Sequence, residues 1–429
     1  MEKLTRDNFY PQISYVLLLA AVATVSWTRF LMLPIAILLL ILFVADNRSR
    51  LHFHTLKSNW LLLPFFVTLS LFLLSLIGAA YSDNIAKAIS DWECKLWFLV
   101  APLCLLPLYD KITLKQIRIL LIVFILSASA TAIGNFVISS VRYAITGDLS
   151  QLFYMNATHF FGVKPTHPSY LSMYYTIAWI ISIILLTEKA DPLTRPLRAA
   201  LLASLVVLPI EIILLQSKAG VLIFAMVFLC AAIRVVRKRR VPLWAAAAVL
   251  IGCIVFAFVF ISGKTGSTNR LGDLRQQRNS PEIANPYSGT LQRIVVWETS
   301  CELAADNLPF GTGTGDITDE LCKRYETKGY TYILRKKLNC HNQYLQHLVG
   351  LGIPGLLALL LFLGLPLWEA IRQRDFLQGM WWLLVAGNLL VESMLETRAG
   401  SNFIPLMTGL LLLHGRAKRS AEAAPPNSR

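Results

Sequence analysis

Charge is scarce in this chain. Asp, Glu, Lys and Arg make up only 15% of its 429 residues, 55% are hydrophobic, and mean hydropathy is +0.57. A soluble domain carries roughly a quarter charged residues. So little polar surface cannot cover so much apolar surface, which excludes a water-soluble globule and makes lipid the solvent. The seven cysteines include no Cys-x-x-Cys and no zinc-type spacing, so no metal is expected. No Asp-x-Asp stands ready for a metal-bound sugar nucleotide. The Gly-rich stretch Asn307 to Asp316 lacks a Gly-Lys-Ser/Thr ending and a preceding strand. It is expected to supply turns, and neither a nucleotide nor any cofactor is called for. No acid pair in the 263–343 stretch suggests a glycosidase, and no internal repeat is present. The polar start, Met1 to Gln12, is followed by an apolar run without a small-residue cleavage site, so that run reads as a span, not a signal. No nucleic-acid motif accompanies the net charge of +15, which is assigned to membrane topology.

What is present is a series of apolar runs. A span needs about 20 apolar residues, and twelve candidates fall at 12–27, 29–45, 59–79, 94–109, 117–137, 169–187, 198–215, 219–233, 241–262, 344–370, 378–395 and 400–414. The expected fold is an all-α polytopic membrane protein with about twelve helices. Helices 1 to 9 occupy 1–262, a large partly helical loop occupies 263–343, helices 10 to 12 occupy 344–414, and a polar tail, 415–429, is expected to be disordered. The first pair of spans and the pair around Lys218 form tight hairpins. Within the large loop, 289–306 and 316–328 look helical.

Orientation follows from Lys and Arg. With the N-terminus inside, the inner segments hold 22 of these residues and the short outer connections 6, over comparable lengths. The run from Arg234 to Arg240 is the strongest anchor. Both termini then lie inside and the large loop outside. Cys301, Cys322 and Cys340 lie in that loop, where one disulfide is possible. The other four cysteines sit in or beside apolar runs as small hydrophobes.

The residues with chemical promise gather at the outer boundary. His341 stands where the large loop re-enters the membrane, and imidazole accepts and returns a proton near neutrality. The alternative is an interfacial polar residue. His347, on a different helix face, reads as structural. Gly352 and Gly355 share a face and would let another helix approach, with Pro354 bending the span. Glu392, Glu396 and Arg398 close the eleventh span. Arg398 is either a phosphate contact or the ion-pair partner of Glu396. Arg293 alone would be read as a salt-bridge partner of Glu298 or Glu302, and Lys218 as a snorkelling interfacial lysine.

One motif is more specific. His341-Asn342, nine residues, then Gly352-Ile353-Pro354-Gly355 resembles the pattern of the O-antigen ligase family, and the layout of spans resembles that family over nearly the whole chain. Arg293-Ile294-Val295-Val296-Trp297 and Gln216-Ser217-Lys218-Ala219-Gly220 are similar to two further family segments, although the family usually has Arg where Lys218 stands. Thr166-His167-Pro168-Ser169-Tyr170 resembles a third. The resemblance implies a metal-independent, inverting glycosyltransferase in a bacterial inner membrane, with cytoplasmic termini and a periplasmic site. It would transfer a glycan from undecaprenyl diphosphate to lipid A–core. His341 would be the general base, and Arg293, Lys218 and Arg398 would contact the donor diphosphate. His167 and Asn342 are possible substrate contacts. Expected partners are donor, acceptor and membrane lipids, with no nucleic acid and no nucleotide. Two rivals remain open: a polymerase or protein O-oligosaccharyltransferase of the same superfamily, and, more distantly, a non-enzymatic flippase of lipid-linked glycans.

Overall fold

The computed structural model describes residues 9–28, 30–46, 63–148, 150–153, 166–188, 193–239 and 289–423. Every regular element among them is helical. In chain order they are α1 (Phe9–Thr24), α2 (Met32–Ala45), α3 (Leu63–Ala80), α4 (Ile85–Lys95), α5 (Trp97–Leu108), α6 (Leu114–Thr146), α7 (Pro168–Thr187), α8 (Arg195–Leu214), α9 (Lys218–Arg239), α10 (Gly289–Asp306), α11 (Ile317–Thr327), α12 (Thr331–Lys336), α13 (Gln343–Arg372), α14 (Phe376–Val391) and α15 (Arg398–Ala423). The expected span at 241–262 and the first part of the large loop lie outside the described residues.

Among the described residues five helices, α3, α6, α7, α8 and α13, are long and apolar enough to cross a membrane, and α1, α2, α5 and α14 are shorter apolar helices. The apolar side chains that face outward confirm the solvent. Ile37, Ile41 and Val44 on α2, Leu202, Val206 and Ile210 on α8, and Leu357, Leu360 and Leu361 on α13 are exposed at helical spacing. Continuous apolar stripes of this kind are unstable in water and stable against acyl chains. This is a membrane protein.

Sequence chemistry sets several helix boundaries. Thr113 caps α6 through a reciprocal capping box with Gln116, and Gly147 ends that helix in the left-handed conformation. Helix α6 therefore runs nine residues past the boundary expected at 137, because nothing before Gly147 stops it. α5 passes from α-helix to a π turn to a 3-10 turn across Pro102 and Pro107, which cannot donate to the helical ladder. At the chain's end, α15 continues to Ala423. Residues 415–423 are thus helical, not the disordered tail expected. Arg416 pairs with Asp110 and Lys418 with Glu188, which ties the polar extension to the bundle.

Helix α7 lies at the centre. It packs on α6, α8, α9 and α14 and is buried on nearly all sides, from Pro168 to Leu185, as a helix apolar all round must be. A second, smaller core joins Val295, Val296 and Leu303 of α10 to Ile317, Leu321 and Tyr325 of α11, Ile333 of α12, and Cys340 and Val349. Helices α10 and α11 occupy the two stretches read as helical, and α12 adds a short third helix there. This three-helix cap packs chiefly on the start of α13. All three of its cysteines are free, Cys340 buried and Cys301 exposed.

Candidate active site

The site is organised by a break in α13. Gly352 has φ +62° and ψ −151°, far from helical values. Two carbonyls then lose their helical donors. Val349 O would accept from Ile353 N, but that amide donates to Pro309 O at 2.9 Å. Gly350 O would accept from residue 354, which is proline and has no N–H. The Gly-rich stretch makes good both losses: Thr312 N donates to Val349 O at 2.8 Å and Gly313 N to Gly350 O at 2.9 Å. The stretch is in turn held by α3 and the segment after it. Tyr81 Oη donates to Phe310 O at 2.7 Å, and the Asp83 and Asn84 amides donate to the Asp316 carboxylate at 2.8 and 2.7 Å. These residues supply turns, as expected, and also complete a helix elsewhere in the chain.

This corrects the reading of the two glycines. Gly352 faces the backbone of Pro309, not another helix, and a Cβ there would stand 1.9 Å from Pro309 O. A Cβ on Gly355 would meet its own preceding turn, Leu351 Cβ at 2.2 Å and His347 O at 2.9 Å. The break packs the helix tightly against itself.

The first turn of α13 presents His341. Asn342 is the N-cap, its side-chain oxygen accepting from Tyr344 N and Leu345 N at 2.9 and 3.1 Å. Asn342 is buried and committed to the helix, which makes it a support for its neighbour. His341 itself lies at φ +44°, a conformation that disfavours side chains larger than glycine. Its amide donates to Asn339 Oδ1, and its carbonyl accepts from Trp297 Nε1 of α10 at 3.4 Å. Strain at a residue held from both sides is a mark of functional positions.

Facing it is the segment that joins α14 to α15. His341 Nδ1 lies 2.9 Å from Glu392 Oε1, and Ser393 Oγ accepts from Asn342 N at 3.2 Å. Arg293 Nη2 stands 3.6 Å from Glu392 Oε2. Among the described residues, Arg293 Nε and Glu392 Oε2 are buried without a hydrogen-bond partner, so the pair retains unused capacity. Arg293 therefore meets Glu392; Glu302, one of its two expected partners, pairs instead with Lys328. Glu392 lies just beyond the last residue of α14. Burial pushes its carboxyl up, but the His341 contact and the charges of His341, His167 and Arg293 outweigh burial and hold it below the usual carboxylate range.

His167 joins this group from α7. It is the N-cap of that helix, its Nδ1 accepting from Ser169 N at 3.4 Å. It lies within electrostatic reach of Glu392, Arg293 and His341, and burial lowers it below the ordinary imidazole value. Lys218, the first residue of α9, is exposed. The turn before it touches the start of α7, with Ser217 Oγ 3.4 Å from Ser169 Oγ. The lysine thus projects from the same end of the bundle as His167.

Arg398 behaves differently. It pairs with Glu93 of α4, not with Glu396. Glu396 turns inward to Lys95 at 3.0 Å and accepts from Gln343 Nε2 at 2.9 Å. Gln343 Oε1 accepts from Leu395 N at 2.8 Å. His347 is buried beside Gln343, at 3.1 Å. Residues 392–396 therefore hold His341 and the two residues after it. No group of three or more His, Cys, Asp or Glu fit to hold a metal occurs among the described residues. Glu392 drew notice in the sequence only as an acid at a span end, and its contact with His341 spans 51 positions.

A membrane-embedded helical bundle with a histidine, a carboxylate and a guanidinium converging at one end is the class this fold and site define. Residues 200–360 match the family model described as O-antigen ligase. The matched stretch contains Lys218, Arg293, His341-Asn342, Gly352 and Gly355; His167, Glu392 and Arg398 fall outside it. A search of curated proteins finds no match to the chain.

Proposed function

We propose that this protein is an O-antigen ligase-type glycosyltransferase that moves a glycan from undecaprenyl diphosphate to lipid A–core at the periplasmic face of a bacterial inner membrane. The reading takes the chain to have twelve spans with both termini cytoplasmic. The observation that carries it is the contact of Glu392 with Nδ1 of His341, the histidine lying within the family-matched stretch. A carboxylate accepting from Nδ1–H fixes the tautomer that leaves Nε2 as a proton acceptor. His341 Nε2 removes the proton of the acceptor hydroxyl, and the oxygen attacks the anomeric carbon opposite the diphosphate, inverting it. Glu392 orients the imidazole and stabilises the imidazolium. Arg293 and Lys218 stabilise charge developing on the departing diphosphate. Arg398, occupied with Glu93, is left out of that role.

The test is transfer by purified protein in nanodiscs from lipid-linked glycan to lipid A–core. His341→Ala is expected to abolish transfer while leaving the protein folded. Activity within a few-fold of wild type would remove the base from the mechanism. Chain elongation of the donor without acceptor would indicate a polymerase, and movement of unconsumed donor across vesicles a flippase.

A further inference from the structure

The three-helix cap carries six basic residues between 323 and 337, and they divide into two sets. Lys323, Arg324 and Lys328 pair with Glu320, Asp306 and Glu302. Arg335, Lys336 and Lys337 are consecutive, exposed, and without a carboxylate partner among the described residues; Arg335 lies 5.8 Å from the Tyr332 ring. Three adjacent like charges repel one another, and no ion pair among the described residues relieves them. The backbone adds a second observation. Lys337 ends α12 at φ +48°, the left-handed position where glycine is least strained and most common. A lysine stands where a glycine would stabilise the turn. Lys337 lies four positions before His341, a reach of at most about 14 Å along an extended chain.

From these features we infer that Arg335, Lys336 and Lys337 form a docking surface for the anionic saccharide of the acceptor, its phosphate or carboxylate groups meeting the three cations while its hydroxyl reaches His341. The inference rests on the ligase reading. The donor diphosphate is served from α9 and α10, by Lys218 and Arg293, whereas this cluster closes α12, the last helix before His341. Ile333, Leu334 and Leu338 anchor the cluster to the core that the cap shares with the first turns of α13, the helix that follows His341, which favours an acceptor saccharide over phospholipid headgroups.

The experiment compares wild type with a triple variant, Arg335→Gln, Lys336→Gln, Lys337→Gln, in nanodiscs of neutral lipid. The acceptor KM is expected to rise about tenfold at low ionic strength, with kcat and donor KM within about twofold, since exposed charges act on encounter and are screened by salt. Raising salt, or removing acceptor phosphates enzymatically, should bring wild type up to the variant. An unchanged acceptor KM at low salt overturns the inference, as does a defect that appears only when anionic phospholipid is present. Acceptor binding to the His341→Ala protein, with and without the triple change, is measured separately. Weaker binding there supports the surface even if no transfer occurs, and equal binding sinks it.

Discussion

At His341 two requirements conflict and function prevails. The residue occupies a backbone region that favours glycine, yet it holds an imidazole fixed by Glu392. Exchange of the carboxylate isolates its contribution. Glu392→Gln retains the shape but not the charge, and transfer is expected to fall about 10²- to 10⁴-fold, the range of general-base catalysis. Steady-state rates at saturating donor and acceptor read this directly. The same variant has a linkage signature. Glu392 has a depressed pKa in the folded protein, so its ionised form contributes stability above the unfolded value of about 4.3, and that contribution is lost as pH falls through the lower folded value. Wild type should therefore melt higher than Glu392→Gln at neutral pH, and the gap should close in acid. A gap independent of pH would mean that the contact is not ionic. The sequence singled out His341 because its motif is local. Of its two readings of Arg398, the pairing with Glu396 fails, although Glu396, two positions away, seemed the natural partner. Positions two apart do not share a helical face, and the 3-10 turn Met394–Glu396 directs Glu396 to Lys95 while Arg398 meets Glu93.

Among the elements, α13 depends most on distant chain. Gly352→Ala would set a Cβ against Pro309 O at a positive φ, and a destabilisation of about 2 kcal/mol or more is expected from clash and strain together. Gly364→Ala, on the same helix with open space around it, should be neutral or stabilising by up to about 1 kcal/mol. Thermal shift in detergent distinguishes the two, and equal effects would mean that the break is not a constraint. The Lys95–Glu396 pair holds Gln343, two residues after His341, and both side chains are largely buried. Lys95→Met or Glu396→Gln alone should each destabilise by about 3–5 kcal/mol by stranding a charge, and the double variant by less than their sum. Strict additivity in a double-mutant cycle would show that the two act independently. Helix existence was legible from apolar runs, and helix ends were less so. α6 overran its expected end because only Gly147 stops it, and the glycines of α13 were read as a packing face for another helix because periodicity cannot reveal a break whose partner, Pro309, lies some forty positions earlier.

For the whole molecule, the proposed orientation makes a claim that native thiols can check. Cys301 is exposed on α10, while Cys104 is buried in α5. In intact spheroplasts a membrane-impermeant maleimide should label the protein at Cys301, and Cys301→Ser should remove most of that signal. Labelling that requires permeabilised membranes would invert the topology and place the site on the wrong side. The all-helical membrane architecture was readable from composition, since scarcity of charge decides the solvent before any detail is known. The site was readable only in part. Its histidine, arginine and lysine lie within the family-matched stretch, but the acid that completes it comes from the α14–α15 junction, and its place beside His341 follows from packing that no local pattern encodes.

The loop amides that complete α13 also bear on synthesis. Residues 75–84 leave the ribosome first, 309–316 later, and 349–353 last, so each partner exists before the group that needs it. When α13 reaches the bilayer, donors for its two stranded carbonyls have already been made, and the helix does not wait in hydrocarbon for a segment still to be translated. A chain permuted to place 307–316 after α13 would reverse that order and leave the newly inserted helix exposed at its weakest point.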